Sequence, residues 1–410
     1  MLYSLYEAQH EALTPLRLAA EMSRGWFGHP FSPLSYMPGS RRVAASSDLF
    51  LRVTQRYGKP AWNIHDTVVD GKTVPVELEI ALDKPFCKLV HFRRELAKPR
   101  RDPKVLVFAP LSGHHATLLR DTVRTLLPEH EVWISDWVDA RLVPLAAGPF
   151  HFDDYVDYVR EFVRLLSPDL HVISVCQPTV PVLAAISLMA ARKDEPKPRT
   201  MIMMGGPIDA RKSPTAVNNL ATKKPYSWFE NQLIQRVPAK YPGYMRQVYP
   251  GFLQHLGFVA MNPDRHLNAH WDYYNHLLVG DGESAEGHRR FYDEYNAVLD
   301  MPAEYYLETV KLVFQEFALA KGEWRVRLDG RTLRVAPEDV RDTALLTIEG
   351  EKDDISGLGQ TEAAQTLCRS IPPARRRRLV AEGVGHYGLF SGSRWRERIY
   401  PEVRAFVRAS

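Results

Sequence analysis

A cysteine stands where a short apolar run gives way to a helix-forming stretch. The pentapeptide SVCQP, residues 174–178, contains Cys176 at this corner. A nucleophile elbow is such a sharp strand-to-helix turn, and it directs the next backbone N–H groups at a developing oxyanion. The usual box is G-x-S-x-G. Here Ser174 keeps the leading position small, Pro178 suits the first helical turn, and cysteine is a strong nucleophile once ionised. A lone cysteine is more commonly buried and structural, so its partners must decide.

An acid and a base follow two later apolar runs. The run 343–350 leads into Asp353 and Asp354, and the run 376–382 leads into His386. Nucleophile, acid and histidine in this chain order are typical of an α/β-hydrolase sheet, and ligands gather at the carboxyl ends of its strands. Taken singly, the aspartates could be helix N-caps and the histidine a surface loop residue. The joint order favours a catalytic triad and leaves the choice of aspartate open.

An oxyanion hole needs two backbone N–H groups near the nucleophile. The N–H of Gln177 is the first candidate because it directly follows Cys176. The second is one N–H among Ser112, Gly113 and His114, in the loop after the apolar run VLVFAP. The small residues of that loop let the backbone approach a carbonyl closely.

Three ring side chains are candidates for the wall of the substrate pocket. His114 and His115 follow the proposed oxyanion loop, and a pocket-lining or capping role is as well supported for them as a direct one. Tyr387 follows His386 and would shield its ring together with Phe390.

The elements that must position these residues alternate in a regular order. A helical start is followed by a second helix at 47–57 and by three strand-like runs, and the charged, proline-bearing linker 95–104 closes this first part. Strands and helices then alternate as expected for a doubly wound, mostly parallel sheet covered on both faces. The exact runs predicted include strands at 131–137 and 170–175 and a helix at 152–166.

The alternation pauses between residues 208 and 337. This interval is crowded with Tyr, Trp, Phe, His and Asn, and it ends in a hairpin signal at Asp329-Gly330. We expect a mostly helical cap. The predicted organisation is therefore an α/β-hydrolase fold with four parts. They are an N-terminal extension at 1–100 with helices and sheet-edge strands, the first core part at 101–207, the aromatic-rich cap at 208–337, and the second core part at 338–410.

Composition narrows the classes of protein. The 410 residues carry a formal net charge of only +4, which gives no indication of nucleic-acid binding. The three cysteines are odd in number and far apart, which disfavours disulfides and fits a reducing compartment. The N-terminus lacks the pattern of a signal peptide, and no apolar run approaches the ~20 residues that span a bilayer. We expect a cytoplasmic protein without a metal site, since no ligand cluster has metal-binding spacing.

Several long stretches resemble the intracellular poly(3-hydroxybutyrate) depolymerases, which are α/β hydrolases of polyester-storing bacteria. The resemblance covers nearly the whole chain. It is carried by MLYSLYEAQ at 1–9, APLSGHHATLLRDTV at 109–123, ISVCQPTVPVLAA at 173–185, TIEGEKDDISGLGQT at 347–361 and EGVGHYGLFSGSRW at 382–395.

The resemblance implies a catalytic trio of Cys176, Asp353 and His386. Asp353 is preferred to Asp354 because related hydrolases place the acid two residues before an aliphatic residue, here Ile355. It implies attack on a polymer ester and a 3-hydroxyacyl thioester on the cysteine. The SVCQP box departs from the GxCxGG box of polyester synthases.

The resemblance also implies partners and a location. The polymer and the surface of its cytoplasmic granules are the expected partners, and no cofactor is expected, although coenzyme A stays open beside water as acyl acceptor. A homodimer also stays open. The alternatives are a synthase-like acyltransferase or thioesterase with the same trio, and a non-catalytic granule-binding protein on a hydrolase scaffold.

Overall fold

The computed structural model describes residues 2–192 and 194–410. The strands in these ranges are β1 Asp66–Val69, β2 Lys72–Asp83, β3 Cys87–Arg94, β4 Lys104–Phe108, β5 Glu131–Trp137, β6 Leu170–Val175, β7 Thr200–Met204, β8 Gln235–Arg236, β9 Gln247–Tyr249, β10 Met301–Pro302, β11 Arg325–Leu328, β12 Arg331–Arg334, β13 Ala344–Gly350 and β14 Arg376–Ala381.

The same residue ranges contain sixteen α-helices. They are α1 Leu2–Ala12, α2 Thr14–Gly28, α3 Ser40–Thr54, α4 Arg120–Leu126, α5 Phe152–Leu166, α6 Thr179–Ala190, α7 Ala216–Lys223, α8 Tyr226–Leu233, α9 Gly251–Met261, α10 Pro263–Val279, α11 Gly282–Tyr295, α12 Ala303–Thr309, α13 Ala318–Lys321, α14 Ala363–Leu367, α15 Gly392–Arg394 and α16 Tyr400–Ala409. Two π-helical stretches, Val310–Gln315 and Trp395–Ile399, continue α12 and join α15 to α16.

A nine-stranded sheet organises the described chain. Its order is β1-β2-β3-β5-β4-β6-β7-β13-β14. The first three strands pair antiparallel, β3 pairs antiparallel with β5, and all later pairs are parallel. The chain runs outward from β4 to β5 and then returns across β4 to form β6. This reversal creates a switch point between β4 and β6, where open α/β sheets bind their ligands. The predicted α/β-hydrolase fold is confirmed.

The central strands are buried on both faces. Every residue of β6, β7 and β13 is buried, because helices cover both sides of a parallel sheet. The predicted strands 131–137 and 170–175 and the predicted helix 152–166 are confirmed residue for residue. Long apolar runs and a strong helical period account for this agreement.

The second N-terminal helix begins earlier than predicted. The prediction was 47–57, whereas α3 spans Ser40–Thr54. Gly39 has a left-handed φ of 83° directly before it, so the Gly/Pro-rich loop ends there and the polar residues that follow are already helical. Polar residues on the first turns carry no apolar period, which is why the sequence pattern missed them.

The interval between β7 and β13, which is described throughout, is mostly helical. It contains α7 to α13 and also a small sheet in the order β10-β9-β8, which the sequence analysis did not predict. Its strands have only two or three residues, too few to show an alternating pattern. The hairpin β11-β12 turns at Asp329 and Gly330, whose φ values of 52° and 71° confirm the predicted turn.

The buried carboxylate of Asp48 joins the N-terminal helices α2 and α3 to α10 and α11, which belong to the interval 208–337, here called the cap interval. Asp48 of α3 accepts a hydrogen bond from Arg24 Nη1 of α2 at 2.9 Å and another from the Tyr273 hydroxyl of α10. Arg289 Nη2 of α11 lies 3.7 Å from the same carboxylate. Four helices therefore meet at Asp48.

We expect Asp48→Ala to lower the free energy of unfolding by about 1–3 kcal/mol, because the buried Tyr273 hydroxyl and the Arg24 guanidinium lose their acceptor. Burial by itself raises the pKa of Asp48, but the hydrogen bonds from Tyr273 and Arg24 outweigh it and the pKa is lowered. A lowered pKa stabilises the fold above the ordinary carboxyl pKa, and this stabilisation is lost as the pH falls through the folded-state pKa. The gap between wild type and variant should therefore shrink in acid. Urea unfolding at several pH values measures it, with exposed Asp272→Ala as control. An equal loss in the control would contradict the role of Asp48.

Candidate active site

Cys176 occupies a strained turn at the end of β6. Its φ of 67° is left-handed, which is rare for a residue other than glycine and is found in nucleophile elbows. The backbone N–H of Cys176 donates to the carbonyl of Met204 at 2.7 Å, and the Cys176 carbonyl accepts from the N–H of Thr179 at 3.1 Å. The side chain is partly exposed, whereas Cys87 and Cys368 are buried.

The turn at Cys176 requires glycine at position 206, which packs against it. A Cβ on Gly206 would lie 2.5 Å from the Cys176 carbonyl oxygen and 1.9 Å from Thr179 Oγ1. The elbow pattern at residues 174–178 does not include Gly206. The signal was a glycine doublet, Gly205-Gly206, directly after a buried strand, where close backbone approach is a common reason for glycine.

His386 and Asp353 form a buried pair after β14 and β13. His386 Nδ1 lies 2.8 Å from Asp353 Oδ2. The other carboxylate oxygen, Oδ1, accepts the backbone N–H groups of Ile355 at 2.9 Å and Ser356 at 2.8 Å. Asp354 is exposed to solvent. Of the two candidate acids, the structure brings Asp353 to the histidine and turns Asp354 away.

Gly205 makes room for this pair. Its φ of 55° is left-handed, and a Cβ there would lie 3.2 Å from Asp353 Oδ2 and 3.3 Å from His386 Cε1. Any larger residue would press on the carboxylate and the ring at the same time.

The electrostatics of the pair favour a protonated imidazole. Burial lowers the pKa of His386, but the negative charge of Cys176 as a thiolate and the hydrogen bond to Asp353 outweigh burial and raise that pKa to about 10. A hydrogen bond to Cys176 acts in the same direction. The imidazolium form of His386 is therefore favoured at neutral pH, where it can act as a proton donor beside the sulfur of Cys176.

The oxyanion candidates lie on neighbouring loops. Strands β4 and β6 are adjacent and parallel, with Phe108 opposite Ser174, so the loops that follow them leave the same edge of the sheet. Gln177 is buried, and no hydrogen bond in the described part of the chain uses its backbone N–H. Gly113 has a left-handed φ of 112°, and Ser112 precedes it. These N–H groups are thus on facing loops.

The two loop histidines are buried and neutral. Burial lowers the pKa of His114 to about 4 and that of His115 to about 3. His114 Nε2 donates to the carbonyl of Tyr295 at 3.2 Å, and its ring stacks on Phe258 with centroids 4.9 Å apart. Tyr387 meets the same ring edge-on at 6.4 Å. The predicted pocket residues His114 and Tyr387 are therefore in contact.

Helix α9 rests on the oxyanion loop. A Cβ on Gly113 would meet Gln254 Oε1 at 2.7 Å and Phe258 at 3.3 Å. Gln254 Nε2 is held by the carbonyls of Tyr249 at 2.9 Å and Leu299 at 3.0 Å. The cap interval therefore covers this edge of the sheet directly.

Several buried polar atoms around the elbow have no partner in the described residues. They include both side-chain heteroatoms of Gln177, Thr179 Oγ1 and the hydroxyl of Tyr305. Cys176 and Gln177 both act on the pKa of Tyr305, which burial raises well above its ordinary value, so this hydroxyl lies near the elbow. Gln177 and Tyr305 therefore place hydrogen-bonding groups beside the elbow.

Residues 2–192 and 194–410 hold no group of three or more His, Cys, Asp or Glu side chains that could bind a metal ion. Within the same ranges, no helix has the length and apolar character required to cross a membrane.

Comparison with known proteins places the chain in a family. Residues 205–410, which are half of the chain, match the family model described as the PHB de-polymerase C-terminus, where PHB is poly(3-hydroxybutyrate). No curated protein matches significantly.

Solved structures also align with this chain. A monoacylglycerol lipase of Paleococcus ferrophilus aligns over 75% of this chain and 96% of its own, at 12% identity and a TM-score of 0.44. A 2-hydroxy-6-oxo-6-phenylhexa-2,4-dienoate hydrolase from Rhodococcus sp. strain RHA1 aligns over 82% and 100%, at 11% identity and a TM-score of 0.44.

We expect Asp353→Asn to lower the pKa of His386 below about 10, because the variant removes a negative charge and weakens the hydrogen bond that favours the imidazolium. A pH titration of ¹³C-labelled histidine followed by NMR measures this pKa, and the signal is assigned with His386→Gln. Asp354→Asn is the matched control because that carboxylate is exposed. Equal shifts in both variants would contradict the assignment of Asp353.

Proposed function

We propose that this chain, which belongs to the PHB de-polymerase family and is a carboxylic ester hydrolase, cleaves poly(3-hydroxybutyrate). In this proposal Cys176 is the nucleophile, His386 is the acid and base, and Asp353 orients the imidazole. The observation that carries the proposal is the buried His386–Asp353 pair at 2.8 Å, which raises the pKa of the imidazole next to a cysteine held in a left-handed turn.

The reaction begins from the thiolate and imidazolium. The Cys176 sulfur attacks the ester carbonyl and forms a C–S bond, while the oxyanion is stabilised by the N–H groups of Gln177 and of one residue among 112–114. The C–O bond then breaks, and His386 gives its proton to the leaving alkoxide. A 3-hydroxyacyl thioester remains on the cysteine.

Deacylation returns the enzyme to its starting state. Neutral His386 takes a proton from water as the water oxygen attacks the thioester carbonyl. The C–S bond breaks, the acid leaves, and the thiolate is again paired with the imidazolium. Coenzyme A could replace water through its thiol, and the product then would be an acyl thioester.

The unpaired polar atoms at the elbow support a polyester substrate. The polymer presents only ester oxygens, which are hydrogen-bond acceptors, on an alkyl chain. The Tyr305 hydroxyl and the Gln177 amide, which lie close to each other beside the elbow, can each donate a hydrogen bond to such an acceptor. His114 and Tyr387 add ring surface for the alkyl portion.

The exposure of the three thiols gives a first test. Cys176 is partly exposed and lies beside His386, whose raised pKa favours the imidazolium form. Burial raises the pKa of Cys87 and that of Cys368. We expect iodoacetamide near neutral pH to alkylate Cys176 at least tenfold faster than either buried thiol. Mass spectrometry of peptides from the folded protein measures the rates. Comparable rates at all three sites would speak against an activated nucleophile.

The nucleophile itself is tested on polymer. We expect Cys176→Ala to lose about 10⁴-fold or more of the rate at which native amorphous poly(3-hydroxybutyrate) granules are cleared. Turbidity and soluble products are measured with and without coenzyme A, and the product identifies the acyl acceptor. Cys368→Ala, with matched thermal unfolding, is the control. Clearing by Cys176→Ala at the wild-type rate would eliminate the thiol mechanism, and adsorption without clearing by the wild type would indicate a non-catalytic granule binder.

A further inference from the structure

Helix α2 exposes apolar side chains to solvent. None of its fifteen residues, all of which are described, is buried. Its two arginines bind residues of α3: Arg24 binds Asp48, and Arg17 Nη1 donates to the carbonyl of Thr54 at 3.1 Å.

The outward side of α2 carries a continuous apolar stripe. Its members follow the spacing i, i+3, i+4, i+7, i+11, which places them within an arc of roughly 100°. They are Pro15, Leu18, Ala19, Met22 and Trp26, and all five are exposed. Leu18 is 56% exposed, Met22 53% and Trp26 57%. The charged residues of α2 lie outside this arc.

The apolar surface continues beyond the helix. Phe31 and Tyr36, in the loop between α2 and α3, are 90% and 80% exposed. On the other side of α3, the neighbouring helix α10 exposes Leu267 and Trp271, four residues apart. Scattered exposed apolar residues are ordinary, but several large ones on one helix and the loop that packs beside it are typical of an interaction site.

We propose that the outward stripe of α2, together with Phe31 and Tyr36, is the surface through which this protein adsorbs to water-insoluble polyester. The proposal rests on the polymer substrate proposed above. An uncharged polyester surface offers alkyl groups and carbonyl acceptors and no ionic partner. The stripe matches it, because it has no charge and its aromatic member Trp26 combines an apolar body with a hydrogen-bond donor.

The location of the stripe supports this occupant. Asp48 joins α2 and α3 to α10 and α11. Helix α10 directly follows α9, which rests on Gly113 at the candidate active site. Helix α2 is therefore linked, through Asp48 and α10, to the helix that contacts Gly113.

The test separates adsorption from chemistry. The double variant Met22→Glu/Trp26→Glu puts charge on the stripe without touching a buried residue. We expect its binding to amorphous poly(3-hydroxybutyrate) granules, measured by sedimentation, to weaken at least tenfold. Hydrolysis of soluble p-nitrophenyl butyrate and the thermal unfolding temperature should stay near wild type. The matched control is Leu145→Glu/Leu165→Glu, at two exposed leucines elsewhere on the chain, and it should bind granules normally.

Other outcomes overturn the proposal. Unchanged granule binding by the stripe variant would show that adsorption uses another surface. If analytical ultracentrifugation shows a wild-type dimer that the stripe variant abolishes, the occupant is a second copy of the chain. If the wild type binds phosphatidylcholine vesicles as tightly as granules, the surface is directed at lipid. Failure of the proposed chemistry would appear separately, as wild-type granule clearing by Cys176→Ala with granule adsorption by α2 intact.

Discussion

The parallel pairing of β7 with β6 on one side and β13 on the other is the constraint on which the site depends. Met204 lies opposite both Val175 and Ile348, so these strands end at the same level. Cys176 follows β6 directly, and the Asp353 loop follows β13. Residues separated by 177 positions in the chain are therefore brought to one edge of the sheet, and the tight Gly205-Gly206 turn between them leaves room for the carboxylate and ring.

Charge at this edge is tolerated because it is paired. A buried carboxylate without partners would be strongly destabilising. Asp353 instead accepts two backbone N–H groups on one oxygen and faces His386 with the other. Burial of the imidazole works against its protonation, and the neighbouring negative charges overcome that effect. Desolvation and pairing therefore act together on His386, and the net result is a raised pKa of its imidazole.

The helical parts of the chain separate two tasks. The cap interval closes over the oxyanion loop through α9, where Gln254 and Phe258 contact Gly113. The N-terminal helices lie beside the cap helices and are tied to them by Asp48. An enzyme that acts on an insoluble polymer must both attach to a surface and bring one chain to a buried nucleophile. We propose that adjoining helical layers of one scaffold carry these two tasks.

The sequence by itself determined the sheet strands, the elbow and the chain order of the trio, since these depend on local patterns: apolar runs, a strand-to-helix corner and loops at strand ends. Only the tertiary structure decided between Asp353 and Asp354, because both lie in one loop and only the folded chain shows which carboxylate contacts His386. The need for glycine at 205 and 206 was likewise hidden, as it arises from atoms distant in sequence. So was the outward direction of the α2 stripe: a helical period shows that one face is apolar, but long-range packing determines which face is covered.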